Sequence, residues 1–242
     1  MIFTLHIWRQ KNAIAQGYFE QYQMDVSETT SFLEMMDGLN EQLISKGHDA
    51  IAFDFDCREG ICGTCSLVIN GAPHGKQTAT TTCQVYMRDY ADEPELWIEP
   101  WRATAFPVIK DLIVDRLAFD KIINSGGYIA TRTGSACEAN TIAIPKETAD
   151  DAFDSATCIG CGACVAVCPN ASATLFVAAK VSHLSSLPQG EVDSQRAKKM
   201  LTEMEEQGFG TCSNYRECES ACPKEISVST ITQMNKLLYQ NK

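Results

Sequence analysis

Ten of the chain's twelve cysteines lie in three short runs, at 57–65, 158–168 and 212–222. Free cysteine behaves as a small apolar residue and is often buried. Burial alone gives it no reason to recur at fixed short spacings. Crowded cysteines point to disulfides or to metal. Residues Met1 to Trp8 have no basic n-region and no small-residue cleavage site, so no secretory leader is expected. Disulfides are rare in a reducing compartment, and metal ligation becomes the leading reading.

Composition narrows the class. Hydrophobic residues make up 45% of the 242 and charged residues 21%, a globular balance that argues against disorder. The net charge of −11 argues against nucleic acid, whose binders need a basic footprint. The length suits one large or two small domains. Ser155 to Ala179 contains no charged residue, yet four cysteines, Pro169 and Asn170 make it a poor membrane span. No transmembrane segment is expected. An apolar docking surface at Ala171 to Ala179 is one reading, and an ordinary core helix is the other.

The first hundred residues read as strands around one helix. Phe3, Leu5 and Ile7 alternate with polar residues, and so do Tyr18, Tyr22, Met24 and Val26. Ser31 with Glu34 predicts a capping box. Phe32, Met35, Met36, Leu39 and Leu43 predict a helix stopped by Gly47. Ile51 to Phe55 and Leu96 to Glu99 predict further strands. Ser66 to Ile69 running into Asn70-Gly71 predicts a hairpin. After Trp101 the spacing turns helical, at Ile113, Leu117 and Ile122/Ile123, then Val192 to Met204, then Ile231 to Leu238. The expected division is an α+β domain over 1–104 and a helical domain over 105–242. Residues 1–103 carry 7 basic and 15 acidic groups, so the first part holds most of the negative charge.

Cys57, Cys62 and Cys65 give C-x4-C-x2-C, with Cys83 following after the hairpin. That is the plant-type spacing for a 2Fe–2S cluster, in which four thiolates converge on two irons. Zinc is the rival, although its paired spacing lacks the crowded third cysteine. Cys158, Cys161, Cys164 and Cys168-Pro169 form the bacterial ferredoxin run. Residues 212–223 repeat its frame, with Tyr215 where the second cysteine would stand. In such pairs the fourth cysteine of each run serves the other cluster. Cys158, Cys161, Cys164 and Cys222 then hold a 4Fe–4S cluster. Cys168, Cys212 and Cys218 hold a cluster with three protein ligands. A 3Fe–4S cluster is favoured there over a 4Fe–4S cluster with a non-cysteine ligand. Cys137 is left over and is expected to be an ordinary thiol.

This order of clusters resembles the iron–sulfur subunit of succinate dehydrogenase and fumarate reductase. The resemblance rests on CREGICGTC (57–65), FPVIKDL (106–112), CIGCGACVAVCP (158–169) and CESACPKEI (218–226). It implies a β-grasp ferredoxin domain followed by an all-α ferredoxin-like domain. It also implies an electron path from FAD on a flavoprotein partner, through the three clusters, to quinone at a membrane-anchor cytochrome b that carries haem b. The chain would then sit peripherally on the cytoplasmic or matrix face of the membrane. Within that picture Pro169 and Tyr215 lie in the quinone vicinity. Alternatively, Pro169 only ends its loop and Tyr215 only fills the missing corner. Arg58 and Glu59 either dock on the flavoprotein or are solvated.

Three features depart from relatives of this kind. Seventeen residues separate Cys65 from Cys83, Ala173 stands where relatives often carry Trp, and Ser213 stands where they often carry His. The quinone pocket is therefore expected to be built differently or to lie in the membrane partner. The pattern leans to the branch with a single dihaem cytochrome b anchor. Two other readings stay open. One is a component of a different flavin-linked dehydrogenase, such as a thiol-dependent fumarate reductase, against which the lack of a long cysteine-rich C-terminal extension argues. The other is a free iron–sulfur carrier or sensor.

Overall fold

The computed structural model describes residues 1–129, 143–187 and 194–240. Cys137 and Val192 lie outside them. The first strands form where alternation predicts them. β1 (Ile2–Arg9) pairs antiparallel with β2 (Tyr18–Asp25), placing Leu5 opposite Tyr22. Phe3, Leu5 and Ile7 point inward and are buried.

α1 (Phe32–Ser45) starts at the expected capping box: Glu34 N donates to Ser31 Oγ at 3.3 Å, and Ser31 N donates to Glu34 Oε2 at 2.7 Å. A cap contributes about 1 kcal/mol. A helix this short is marginal alone in water. Burial of Phe32, Leu33, Met35, Met36, Leu39 and Leu43, at roughly 1.5–3 kcal/mol each, therefore decides the matter.

The hairpin is shorter than expected, with β3 (Val68–Ile69) and β4 (Ala72–Pro73) joined through Asn70-Gly71. β5 (Glu95–Glu99) runs parallel to β1, with Leu96 beside Leu5 and Ile98 beside Ile7. The sheet order is β2-β1-β5-β3-β4, and α1 packs into the same core as β1 and β5.

Ile51 to Phe55 is not a strand. Side chains take the place of a ladder there. Asn40 Oδ1 accepts from Ile51 N at 2.7 Å, Asn40 Nδ2 donates to Ile51 O at 2.9 Å, and Asp111 Oδ2 accepts from Ala52 N at 3.0 Å.

The chain after residue 104 is not helical from the outset. It opens with a second hairpin, β6 (Val108–Lys110) and β7 (Ile113–Val114), so Ile113 belongs to a strand rather than to the helix that follows. Asp111, in its turn, is 2% exposed. Its carboxylate accepts from Gln10 N at 3.0 Å and Arg9 Nε at 3.2 Å as well as from Ala52. One buried charge thus fastens three segments.

The remaining elements are helices: α2 (Leu117–Gly126), α3 (Lys146–Ala156), α4 (Ala163–Ala166), α5 (Thr174–Ser185), α6 (Ser194–Glu206), α7 (Glu217–Ser220) and α8 (Ser229–Gln240). α5 is central and packs against α3, α6 and α8. Leu175, Phe176, Val177, Ala178 and Ala179 are all buried, so the uncharged run is core and not an outward docking face. Phe119 of α2 stacks on Phe176 at 3.9 Å, and Phe106 and Phe209 close the aromatic cluster. Trp101 is fully buried in this second core. Among the described residues no helix is long and apolar enough to cross a membrane.

Removing one partner of a buried ion pair typically costs about 3–5 kcal/mol. Asp111→Ala should therefore lower the denaturant midpoint sharply. Glu20→Ala, which breaks the partly exposed 3.4 Å contact with Arg9, should cost about 1 kcal/mol or less.

Candidate metal centres

The first cysteine loop is wound by left-handed residues, Arg58 (φ 53°), Gly60 (φ 73°) and Gly63 (φ 72°). This winding turns backbone donors toward sulfur: Glu59 N donates to Cys57 Sγ at 3.3 Å. Thr64 Oγ1 lies 3.0 Å from Cys62 Sγ. Cys83 comes from a 3-10 turn, Thr82–Gln84, with Thr81 Oγ1 3.2 Å from its sulfur. That turn is pinned to the start of α1, where Phe32 N donates to Val85 O at 2.8 Å and Met87 N donates to Thr30 O at 2.9 Å.

Cys62 acts on Cys57 and Cys65, and Cys83 acts on Cys65, so the four sulfurs lie together, and their surroundings move Cys57 and Cys65 in opposite directions. Hydrogen bonds from the Glu59 and Ile61 backbone pull the Cys57 thiol down to about 7. Burial, then the charge of Cys83, pushes Cys65 up to about 12. Arg58 is already engaged within the chain. It pairs with Asp37 at 2.7 Å and sits 4.3 Å over the Phe55 ring. Glu59 is exposed. Asp54 is half-buried, and burial raises its proton affinity.

Cys158, Cys161, Cys164 and Cys222 line one hollow, walled by Phe119, Leu175, Phe176 and Ile226. Burial is the first cause that raises the Cys158 thiol, takes Cys161 to about 12 and carries Cys164 well above the ordinary range. Cys168, Cys212 and Cys218 line a second hollow together with Tyr215 and Leu175. Burial, then the charges of Cys168 and Cys212, takes Cys218 to about 11.

The two runs share a backbone plan. Gly160 (φ 62°) and Gly162 (φ 91°) flank Cys161, and Asn214 (φ 59°) and Arg216 (φ 69°) flank Tyr215 in the same left-handed conformation. Asn214 N donates to Cys212 Sγ at 3.4 Å, as Glu59 N does to Cys57. Asn170 Nδ2 ties the two runs together, donating to Thr211 O at 2.9 Å and Ser213 Oγ at 2.8 Å. Tyr215 is 55% exposed and Pro169 is exposed. Ala173 is buried in the helical core.

The donor sets fit polynuclear groups. The eleven described cysteines are all free thiols. Among the described residues no three His, Cys, Asp or Glu side chains converge on a single-ion site. In the helical half the cysteines instead ring two hollows. Iron–sulfur clusters bound there supply reversible one-electron redox chemistry.

Residues 4–121 match the family described as the 2Fe-2S iron-sulfur cluster binding domain, and residues 154–226 match the 4Fe-4S dicluster domain. Together these define an iron–sulfur electron-transfer protein. The chain is 27% identical to the succinate dehydrogenase iron-sulfur subunit of Bacillus subtilis over 95% of this chain and 90% of that one. It is 31% identical to a component of the fumarate reductase (CoM/CoB) of Methanothermobacter marburgensis, over 87% of this chain but 38% of that longer protein. A chain of the Mycobacterium smegmatis Sdh1 complex in the apo form superposes with a TM-score of 0.72 at 20% identity, covering 100% of this chain and 97% of that one. The protein belongs to the iron–sulfur subunits of succinate dehydrogenase and fumarate reductase.

The spacing of cysteines brought forward every sulfur in these sites. It gave no sign of Ser66 or Arg116, which reach backbone carbonyls of both of the first two loops, or of Trp101, which donates to the second. At that junction an added Cβ on Gly63 would stand 2.5 Å from Ile159 O, whereas Gly47, with a similar φ of 76°, has nothing within 4 Å. Gly47→Ala should therefore lose only the cost of left-handed strain, about 1–2 kcal/mol. Gly63→Ala should lose more, and should also lower the iron content of the purified complex. Parallel thermal melts and iron analysis of the two variants check this.

Proposed function

We propose that Cys57, Cys62, Cys65 and Cys83 hold a 2Fe–2S cluster, that Cys158, Cys161, Cys164 and Cys222 hold a 4Fe–4S cluster, and that Cys168, Cys212 and Cys218 hold a 3Fe–4S cluster. The observation that carries this reading is the pair of similar hollows, one lined by four cysteines and the other by three with Tyr215. The two folds are a β-grasp plant-type ferredoxin unit over 1–104 and a mainly helical ferredoxin-like unit over 105–242. Two separate buried clusters support the division, although Leu112 packs with the first and Val68 with the second.

In this reading the chain accepts electrons from the FAD of a flavoprotein partner at its first loop. It delivers them to quinone at a cytochrome b anchor beside its third centre, with haem b in that anchor. The chain is peripheral and is held at the membrane by its partner. The exposed Pro169 and Tyr215 beside the three-cysteine hollow support placing quinone there. A second reading, favoured by the identity to the CoM/CoB fumarate reductase component, couples the same chain to a thiol-linked flavoprotein complex. Purification of the native complex separates them. A flavoprotein with a quinone-reactive cytochrome b supports the first, and thiol-dependent reduction of fumarate without such a cytochrome supports the second.

The shared backbone plan also predicts a conversion. A cysteine at 215 would stand between two left-handed residues, as Cys161 does. Tyr215→Cys should replace the EPR signal of an oxidised 3Fe–4S centre with that of a reduced 4Fe–4S centre, and iron should rise by one atom per chain. An unchanged 3Fe–4S signal would count against the missing-ligand account.

A further inference from the structure

The first two cysteine loops meet along a pair of facing carbonyls. Gly63 O lies between Cys62 and Cys65 in one loop, and Cys161 O belongs to the other. Ser66 Oγ lies 2.8 Å from each of them. A serine hydroxyl has one proton and can donate to only one at a time. Two carbonyl dipoles with their oxygens facing each other repel unless further donors stand between them. Trp101 Nε1 donates to Cys161 O at 3.0 Å. Arg116 Nη1 donates to Gly63 O, and reaches Cys161 O at 3.3 Å, Ser66 Oγ at 3.4 Å and Gly160 O at 3.5 Å.

Arg116 is thus the one cationic group among these contacts, and it touches both loops. No carboxylate forms an ion pair with it among the described residues. Its field is felt nearby. It opposes the effect of burial on Asp54, and it adds to burial in holding the enclosed His74 imidazole down at about 4. The guanidinium cannot lose its proton in a protein, so this charge is permanent.

We propose that Arg116 is a positioning residue for electron transfer: it clamps the first two ligand loops together and favours the reduced state of both centres. The proposal rests on the ligand assignment above. A cluster gains negative charge when reduced, and a fixed positive charge in a partly buried site stabilises that form. Hydrogen bonding around a centre and its burial are recognised levers on its potential. The transfer served is a one-electron exchange in which one centre is oxidised as the other is reduced, with no bond made and no proton moved. The third centre lies beyond these contacts and is the internal reference.

The test is an EPR-monitored redox titration of the native complex carrying Arg116→Gln, Arg116→Lys or Trp101→Phe. In Arg116→Gln both the 2Fe–2S and 4Fe–4S midpoints should fall while the third stays fixed. A tenfold drop in the reduced-to-oxidised ratio at a set poise corresponds to about 59 mV for a one-electron couple. Arg116→Lys keeps the charge and should restore most of the shift. Trp101→Phe removes one donor but no charge, and should move the midpoints much less than Arg116→Gln. Unmoved midpoints with intact signals in Arg116→Gln would overturn the proposal, as would an equal shift of all three centres. If Arg116→Gln does not assemble, both midpoints held near their unaltered values in Arg116→Lys, with the third unmoved, would support the part played by the charge. A fall of about 59 mV or more in both midpoints of Arg116→Lys, where the charge is kept, would overturn it. Absence of the two cluster signals from the unaltered complex would instead sink the ligand assignment itself.

Discussion

Desolvation of sulfur is the constraint on which this structure depends. A thiolate taken out of water is costly, and several thiolates side by side repel as well. Both effects act on Cys65, Cys161, Cys164 and Cys218, whose thiols all hold their protons more tightly than an exposed cysteine does. A bound cation reverses the sign, because a coordinating thiol is deprotonated outright. Metal loading and folding are therefore coupled in this chain. The same apolar walls that penalise bare thiolates also exclude water from a loaded centre. Phe119, Leu175 and Phe176 serve both purposes at once.

α5 explains how two such centres can lie close without merging. Leu175 lines both hollows, and Cys158, Cys164, Cys218 and Cys222 pack against the small apolar cluster it forms with Ala179 and Ile226. One leucine side chain is thus the wall the two centres share. The first half of the helix around it, Thr174 to Ala179, is buried throughout, and the helix packs against α3, α6 and α8. The lack of charge in that half, which on sequence grounds left a docking surface open beside a core helix, is what a segment surrounded by protein requires.

Sequence periodicity revealed those parts of the fold in which local and tertiary demands agree. β1 alternates because one face is buried, and α1 begins at Ser31 because its cap is local. Ile51 to Phe55 looks equally strand-like, but its backbone groups are taken by Asn40 and Asp111, both distant in sequence. Ile113 fits a helical spacing with Leu117, yet the turn at Asp111 draws it into a hairpin. The cysteine spacing was highly informative because cluster geometry admits few alternatives. Arg116 was silent because its partners are carbonyl oxygens, which every residue supplies.

The internal repeat shows how far such silence can extend. Glycine enters the left-handed region at little cost, and Gly160 and Gly162 make the first run easy to recognise. Asn214 and Arg216 adopt the same conformation in the second run without glycine. Asparagine tolerates it, but for arginine it is strained. The same winding thus recurs around Tyr215 as around Cys161, with a phenol in place of a thiol between the two left-handed residues. The asymmetry between the two centres then rests on one side chain. Tyr215 occupies a position whose backbone would serve a cysteine, and its exposure leaves that edge of the hollow facing outward.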